Sequence, residues 1–365
     1  MLPQLAFALG LAAAAPADPD AVLAAILEEA RAKHDVPAAA AWVSRRGEKV
    51  AVAAVGLRRE GGTERVTLDD RFHLGSVSKS LNATLIGTLV DEGRLRWDEP
   101  IEKLFADWPV HRALRGVTLA QLLAHHSGIA GFRGSGDFAD APRLYGDARS
   151  QRMQFTQWLI AQKPATEVGQ FSYSNAGVAV AAAAAERVTG KPWEDLMRER
   201  VFAPLGMTRA GFGWPGRVDN HEPWGHYLRG ALKVPHDPRG PYEVAEVLAP
   251  AADVHLSIRD LGAYLADQAR GLAGQPGLLK PETYRRMHGF DGLPLGWMVI
   301  ASSKDPVISR HEGNAETFYS IAAIVHAEAM EVGILLNEAD PRAATEILAA
   351  ILARFRAAGP PPSGG

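Results

Sequence analysis

The sequence contains no cysteine among its 365 residues. The chain therefore has no disulfide framework, no thiolate nucleophile and no zinc site built from cysteine. Lys and Arg together number 39 and Asp and Glu number 42, so the formal net charge is only −3. Because there is no excess of positive charge, nothing favours binding to nucleic acid or to an anionic membrane.

Sequence motifs of several other enzyme classes are also missing. There is no G-x-S-x-G, which argues against the nucleophile elbow of an α/β-hydrolase. Neither H-E-x-x-H nor a Gly-rich phosphate loop occurs, so we expect no metal and no nucleotide or other cofactor. Chemistry in this chain is expected to rest on ordinary side chains.

The apolar run at the start of the chain, from Leu5 to Ala15, is too short to span a bilayer. It is typical of the apolar region of a signal peptide, and Ala15-Pro16-Ala17 fits a cleavage site, although no Lys or Arg precedes the run. We predict that residues 1–17 are a signal peptide and that the product is periplasmic or secreted. A cytoplasmic protein with a frayed N-terminus is the alternative.

The periodicity of apolar residues indicates an α+β fold. With 47% apolar residues the chain is able to bury one large core. Both chain ends combine helices and strands. The predicted elements are a helix over Asp18–Lys33, strands over Ala38–Ser44, Lys49–Gly56, Phe318–His326 and Val332–Asn337, and a helix from Pro341 to about Ala357. We expect one antiparallel sheet formed from both chain ends and flanked by helices, plus a mainly helical lobe.

This pattern predicts a single domain over residues 18–358. Its sheet lobe would take residues 18–70 and 290–358, its helical lobe residues 71–289, and residues 359–365 would be a disordered tail. Polar sites are commonly found in the cleft between two such lobes.

Ser76 and Lys79 lie at the predicted start of a helix that runs to Glu92, with an apolar stripe of Leu81, Leu85 and Leu89. The spacing i, i+3 places the hydroxyl and the amine on one face. A lysine in apolar surroundings loses its proton more easily, and a serine hydroxyl needs a neighbouring base to become a nucleophile. Ser-x-x-Lys alone is a weak signal, since an N-capping serine followed by a solvated lysine gives the same spacing.

Tyr173-Ser174-Asn175 precedes an alanine-rich run that reads as a buried helix. A tyrosine at this position is suited to proton transfer, and the amide of Asn175 is suited to orienting a substrate carbonyl. By itself the segment also fits a helix cap next to a packed tyrosine.

His311-Glu312-Gly313-Asn314 lies just before the predicted strand at Phe318. Beside a cleft, a residue as small as Gly313 lets a substrate backbone approach closely. The same residues are also common in turns, so a turn remains an alternative interpretation.

The adjacent pair His125-His126 suggests a metal site or a catalytic base. Neighbouring residues of a helix point to different faces, so joint ligation of a metal is disfavoured. Thr118-x-x-Gln121 is a capping box and Gly128 a helix stop, which favours a short structural helix and turn.

Taken in order, Ser76-x-x-Lys79, Tyr173-x-Asn175 and His311-x-Gly313 resemble the serine β-lactamase and penicillin-binding protein superfamily, within it the class C β-lactamase-like and esterase branch. The resemblance covers about residues 20–355. Supporting stretches are Phe72–Ser80, Thr118–Ile129, Gly169–Gly177, Val188–Glu194 and Pro204–Thr208.

The resemblance implies a β-lactamase/transpeptidase-like fold and a serine hydrolase that acts on ester, amide or peptide bonds. It implies that Ser76 forms the acyl-enzyme and that Lys79 and Tyr173 move the protons. Asn175 would contact the substrate, and the backbone N–H groups of Ser76 and Asn314 would bind the oxyanion. The expected partner is a small-molecule or peptide substrate with a scissile carbonyl.

His311 departs from the family pattern, because many relatives have the lysine of Lys-Thr-Gly there. A histidine is mostly neutral at pH 7, since its usual pKa is about 6.5, and so attracts a substrate carboxylate less. We therefore expect ester or amide hydrolysis without a strongly required carboxylate. The alternative is a penicillin-binding-type sensor that becomes acylated and barely turns over.

Overall fold

The computed structural model describes residues 18–219, 221–229, 232–240, 244–302 and 305–356. The predicted signal peptide at residues 1–17 and the predicted tail at residues 359–365 lie outside the described residues. Within the described part of the chain, no helix has both the length and the apolar character needed to cross a membrane.

Strands come from both ends of the chain and helices fill the middle. The strands are β1 (Ala38–Arg45), β2 (Glu48–Gly56), β3 (Arg71–His73), β4 (Gly211–Phe212), β5 (His226–Arg229), β6 (Leu232–Pro235), β7 (Val254–Ser257), β8 (Met298–Ser302), β9 (Asp305–Asn314), β10 (Tyr319–Val325) and β11 (Met330–Leu336). The helices are α1 (Pro19–His34), α2 (Ser78–Asp91), α3 (Ile101–Leu104), α4 (Leu119–Leu123), α5 (Ala148–Ile160), α6 (Asn175–Thr189), α7 (Trp193–Met197), α8 (Pro215–Val218), α9 (Ala249–Ala252), α10 (Ile258–Leu272), α11 (Pro281–Met287) and α12 (Pro341–Phe355).

The main sheet has the strand order β2-β1-β11-β10-β9-β8, and every neighbouring pair is antiparallel. Its first two strands come from the beginning of the chain and the other four from its end. The expected α+β fold, with one antiparallel sheet built from both chain ends, is confirmed.

The side chains of β1 alternate between two separate hydrophobic cores, one on each face of the sheet. Successive side chains of a strand point to opposite faces of a sheet. Ala39, Ala41 and Val43 face the core beneath α1 and α12, whereas Ala38 and Ala40 face the core shared with the helical lobe. The sheet therefore carries helices on both faces, and its inner face meets the lobe that contains α2.

Helix α2 is buried on all sides from Ser78 to Leu89, not along one side as its apolar stripe indicates. Its polar side chains tolerate this because their hydroxyls donate to nearby carbonyl oxygens. Ser80 Oγ donates to Val77 O at 2.8 Å and Thr84 Oγ1 donates to Ser80 O at 3.1 Å. A helix with satisfied hydroxyls is able to run through the centre of the helical lobe.

A buried ion network ties the helical lobe together around α6. The fully buried Arg152 of α5 donates to Glu186 of α6 at 2.9 Å and to Glu194 of α7 at 3.0 Å. Its Nη1 donates to the carbonyl oxygen of Glu246 at 3.1 Å, just ahead of α9. Helices α6 and α9 both supply groups to the candidate site described below, so Arg152 fixes two of its walls.

We expect Arg152→Met to lower the free energy of unfolding by about 3–5 kcal/mol, because Glu186 would be left buried without its positive partner. Urea unfolding followed by far-UV circular dichroism measures this. Arg96→Met is the matched control, since Arg96 pairs with Asp98 on the surface. Equal unfolding midpoints for the two variants would contradict the role given to Arg152.

Candidate functional site

Ser76 lies in a 3-10 turn over Gly75–Val77, and α2 begins only at Ser78. The expected start of the helix at Ser76 is therefore wrong by two residues. Gly75 has a φ of +49°, a left-handed conformation that favours glycine and permits the sharp turn. The turn leads directly into α2, so Ser76 and Lys79, three residues apart, lie on the same side of the chain.

Lys79 is fully buried and its Nζ lies 3.0 Å from Ser76 Oγ. Nζ also donates to the carbonyl oxygen of Ala251 at 2.8 Å. Burial away from water holds the pKa of Lys79 well below its usual value, because the charged ammonium is the form that burial disfavours. A neutral amine next to a hydroxyl is able to accept the hydroxyl proton.

Tyr173 lies beside both groups: Lys79 Nζ is 4.7 Å from the centre of its ring, and the Ser76 hydroxyl is near enough to favour the ionised phenol slightly and so lower its pKa. Burial raises the pKa of Tyr173 to about 12, so the phenol keeps its proton at neutral pH. Ser76, Lys79 and Tyr173 thus form one connected group, as their order in the sequence indicated.

Asn175 is the first residue of α6, behind the cap residue Ser174, whose Oγ accepts from Gly177 N at 2.8 Å. Its Nδ2 donates to the carbonyl of Phe132 at 2.8 Å. Its Oδ1 is buried and has no partner among the described residues. The structure places Asn175 two residues from Tyr173, with a free acceptor on its side chain.

His311, Gly313 and Asn314 all belong to β9, so the interpretation of this segment as a turn is wrong. A Cβ on Gly313 would stand 1.7 Å from the carbonyl oxygen of Leu74. A Cβ on Gly75 would stand 3.0 Å from the backbone nitrogen of Asn314. Strand β9 therefore rests directly on the turn that carries Ser76.

The imidazole of His311 is only 3% exposed, and its Nδ1 lies 2.9 Å from the carbonyl oxygen of Glu312. Burial, with a smaller effect from Lys79, lowers the pKa of His311 to about 3. The expected neutral histidine at this position agrees with these surroundings. Its Nε2 is buried without a partner among the described residues.

The segment from Ala251 to Val254 packs against the turn that carries Ser76, and no local pattern in the sequence predicts this contact. Besides the carbonyl of Ala251, Val254 N donates to Ser78 Oγ at 3.0 Å, and Asp253 Oδ1 lies 3.3 Å from His73 Nε2. Gly75 N donates to His73 Nδ1 at 3.2 Å, so Nε2 carries the ring proton and donates to Asp253. The turn is held from both sides.

His125, expected to be part of a structural turn, also forms a wall of the site. Its ring lies 4.5 Å from the ring of Tyr173, and its Nδ1 accepts from Ser174 N at 3.2 Å. Its φ of +62° turns the chain sharply after α4. The predicted capping box of Thr118 and Gln121 is present at the start of that helix.

Arg133 also contacts Tyr173, and no local pattern in the sequence marks it. Its Cζ lies 5.4 Å from the centre of the Tyr173 ring, and its Nη2 donates to Tyr173 O at 3.1 Å. The residues described here contain no group of three or more His, Asp or Glu arranged to hold a metal ion.

Comparison with known proteins links this geometry to a family. The family model described as Beta-lactamase matches residues 23–354. Penicillin-binding protein 4 of Amycolatopsis lactamdurans is 37% identical over 179 residues, 48% of this chain and 45% of that protein. The chain spans about half the length of the first curated relatives it matches.

Two solved structures share the fold at low identity. EstCE1, a hydrolase with promiscuous acyltransferase activity, is 18% identical with a TM-score of 0.73, over 91% of this chain and 99% of that one. The D-amino acid amidase of Ochrobactrum anthropi SV3, complexed with D-phenylalanine, is 21% identical with a TM-score of 0.71, over 92% of this chain and 99% of that one.

We expect Gly313→Ala to lower the rate at which Ser76 reacts with an electrophile by about tenfold or more, because the added Cβ would push β9 away from Leu74. The measurement is the rate of labelling by a fluorophosphonate. Gly136→Ala is the control, since a Cβ there has open space around it. Unchanged labelling of Gly313→Ala would show that the close contact does not shape the site.

Proposed function

This chain belongs to the Beta-lactamase family, and we propose that it is a serine hydrolase that cleaves ester, amide or peptide bonds through an acyl intermediate on Ser76. The observation that carries the proposal is the fully buried Lys79 amine, 3.0 Å from the Ser76 hydroxyl oxygen. Burial lowers the pKa of this amine well below its usual value and so favours the neutral form, and a serine hydroxyl needs such a base to become a nucleophile.

In the proposed acylation, the Ser76 proton passes to Lys79 while Oγ attacks the substrate carbonyl. The carbonyl oxygen becomes an oxyanion between the backbone N–H groups of Ser76 and Asn314, which the contact of Gly75 with β9 holds close together. Tyr173 then gives its proton to the leaving group and regains one from Lys79, and the tetrahedral species collapses to the acyl-enzyme.

In the proposed deacylation, water is the nucleophile that attacks the acyl-Ser76 ester, and Ser76 Oγ is the group that leaves. Water loses a proton to Lys79 as it attacks the acyl carbon. When the ester bond breaks, Tyr173 gives its proton to Ser76 Oγ and regains one from Lys79. Asn175 lies beside Tyr173 with its Nδ2 held by Phe132, so we assign it to substrate orientation.

For the substrate, we propose an ester or amide without a required carboxylate, because the imidazole of His311 is neutral in its buried position. The names of two proteins of the same fold, a hydrolase with acyltransferase activity and a D-amino acid amidase, support this class. The likeness to penicillin-binding protein 4 supports the second candidate, a sensor that becomes acylated and barely turns over.

We expect a fluorophosphonate to add to Ser76, and Ser76→Ala to lose both the adduct and all turnover without a change in fold. Mass spectrometry of tryptic peptides locates the adduct, and circular dichroism checks the fold. Ser80→Ala is the matched control, since Ser80 lies one turn further on with its hydroxyl bonded to Val77 O. Absence of an adduct on Ser76 in folded protein would overturn the proposal.

The same protein distinguishes the two candidate functions. A panel of p-nitrophenyl esters, D-amino-acid amides and a chromogenic cephalosporin is followed through the first turnover and into the steady state. A hydrolase sustains turnover, whereas a sensor gives a burst of one equivalent followed by almost none. The cephalosporin as the best substrate by kcat/KM would contradict the substrate class proposed from His311.

We expect kcat/KM to rise with pH through a midpoint well below 10.5 and then to stay level to at least pH 10. Activity requires neutral Lys79, whose lowered pKa means that the neutral form appears as pH rises through that lower value. Tyr173, with a pKa of about 12, keeps its proton throughout. A pH series with a p-nitrophenyl ester, corrected with Ser76→Ala, measures the profile. A midpoint near 10.5 would rule out neutral Lys79 as the base.

A further inference from the structure

We infer that His311 presents a hydrogen-bond acceptor to the substrate, and that the leaving group of the substrate carries an N–H or O–H donor at this position in place of a carboxylate. This inference rests on the proposed function and names the chemistry of its substrate. It depends on which nitrogen of His311 carries the proton, on where the other nitrogen points, and on what lies beside it.

The tautomer of His311 follows from a single contact. Its Nδ1 lies 2.9 Å from the carbonyl oxygen of Glu312, and a carbonyl oxygen only accepts hydrogen bonds. Nδ1 therefore carries a proton and donates it. Because the buried ring is neutral, Nε2 carries no proton and presents a lone pair. A lysine in this position would instead present three donors and no acceptor.

The lone pair of Nε2 has no partner among the described residues, although the imidazole is only 3% exposed. Nearly all buried polar atoms in folded proteins have a partner, and an exception calls for an explanation. A ligand that brings a donor into the site provides that explanation.

The side chain of His311 points toward the reacting groups. Residues two apart in a strand face the same side, and Gly313 faces the carbonyl of Leu74 in the turn that carries Ser76. His311 also lies close enough to Lys79 and His125 that a charge on its ring would repel charges on theirs. The imidazole is therefore on the Lys79 side of Ser76.

That side is where the leaving group sits. Asn314, which would bind the oxyanion, is three residues further along β9, about 10 Å at the usual rise of a strand. The leaving group takes its proton from Tyr173 or Lys79, so it lies on their side of the scissile carbonyl. Of the groups on a bound substrate, those of the leaving group come nearest to Nε2.

A carboxylate on the leaving group would direct only lone pairs at Nε2, whereas a carboxamide, hydroxyl or ammonium would donate to it. A site built to pair with a substrate donor discriminates strongly against an analogue that lacks the donor. We therefore expect the enzyme to prefer leaving groups that carry a hydrogen-bond donor. This differs from merely tolerating leaving groups that lack a negative charge.

Three N-benzoylglycyl thioesters test this inference, with thioglycolamide, methyl thioglycolate and thioglycolate as leaving groups. They share the acyl group and differ in presenting a donor, a neutral acceptor and an anionic acceptor. The released thiol is read with Ellman's reagent, which meets no thiol on the protein because the chain has no cysteine. For the unaltered protein we expect kcat/KM for the carboxamide to exceed both others by about tenfold or more.

Two variants at position 311 extend the test. His311→Lys replaces the acceptor with a charged donor and should reverse the order, making the thioglycolate the best substrate. His311→Gln offers both a donor and an acceptor and should bring the three values within a few-fold of one another. His34→Gln, on α1 beneath the other face of the sheet, is the control and should keep the order of the unaltered protein.

The outcomes separate this inference from the proposed function. Cleavage of all three thioesters by the unaltered protein, with the carboxylate equal to or better than the carboxamide, would overturn the inference and leave the acyl-Ser76 hydrolase standing. No thiol from any of them, and no acyl adduct on Ser76, would overturn both. The comparison in the unaltered protein decides the matter even where His311→Lys fails to fold.

Discussion

The burial of one amine next to one hydroxyl is the constraint on which the rest of the structure depends. Lys79 is a useful base only while water is kept away from it, because exposure would restore its proton. The chain meets this demand by running α2 through the centre of the helical lobe with its hydroxyls turned onto carbonyl oxygens. In the proposed mechanism, the burial of α2 and the basicity of Lys79 are thus one requirement.

The site also requires both lobes at once. Lys79 comes from the helical lobe, and Asn314 comes from β9, a strand of the sheet that both ends of the chain build together. The two parts meet where Gly313 and Gly75 let one backbone rest on the other with no side chain between them. In the proposed mechanism, completion of the sheet therefore also positions the two backbone N–H groups that would bind the oxyanion.

The local patterns in the sequence were sufficient for α1, β1, β2, β10, β11 and α12, because amphipathic helices and alternating strands have periods that are visible in a single segment. They did not predict β8 and β9, and β9 contains the segment whose residues are also common in turns. The order of the three motifs was sufficient to predict that Ser76, Lys79 and Tyr173 lie together. The packing of the segment from Ala251 to Val254 against the turn that carries Ser76, and the contacts of His125 and Arg133 with Tyr173, have no local period. They exist only because segments far apart in sequence pack together, so a single sequence does not reveal them.

Backbone groups decide which ring nitrogen of His73 and of His311 carries the proton, because each binds one of the two nitrogens. Gly75 N–H fixes the proton of His73 on the nitrogen that faces Asp253. The carbonyl oxygen of Glu312 instead accepts from Nδ1 of His311, which leaves Nε2 as a hydrogen-bond acceptor. At its second ring nitrogen each histidine can then only donate, as in His73, or only accept, as in His311, and neither needs a charge for this. A lysine would have brought a full charge into the same buried position, where it would oppose any charge on Lys79 and raise the cost of protonating it. The neutral imidazole avoids that repulsion, and its acceptor makes donors on the substrate the means of recognition.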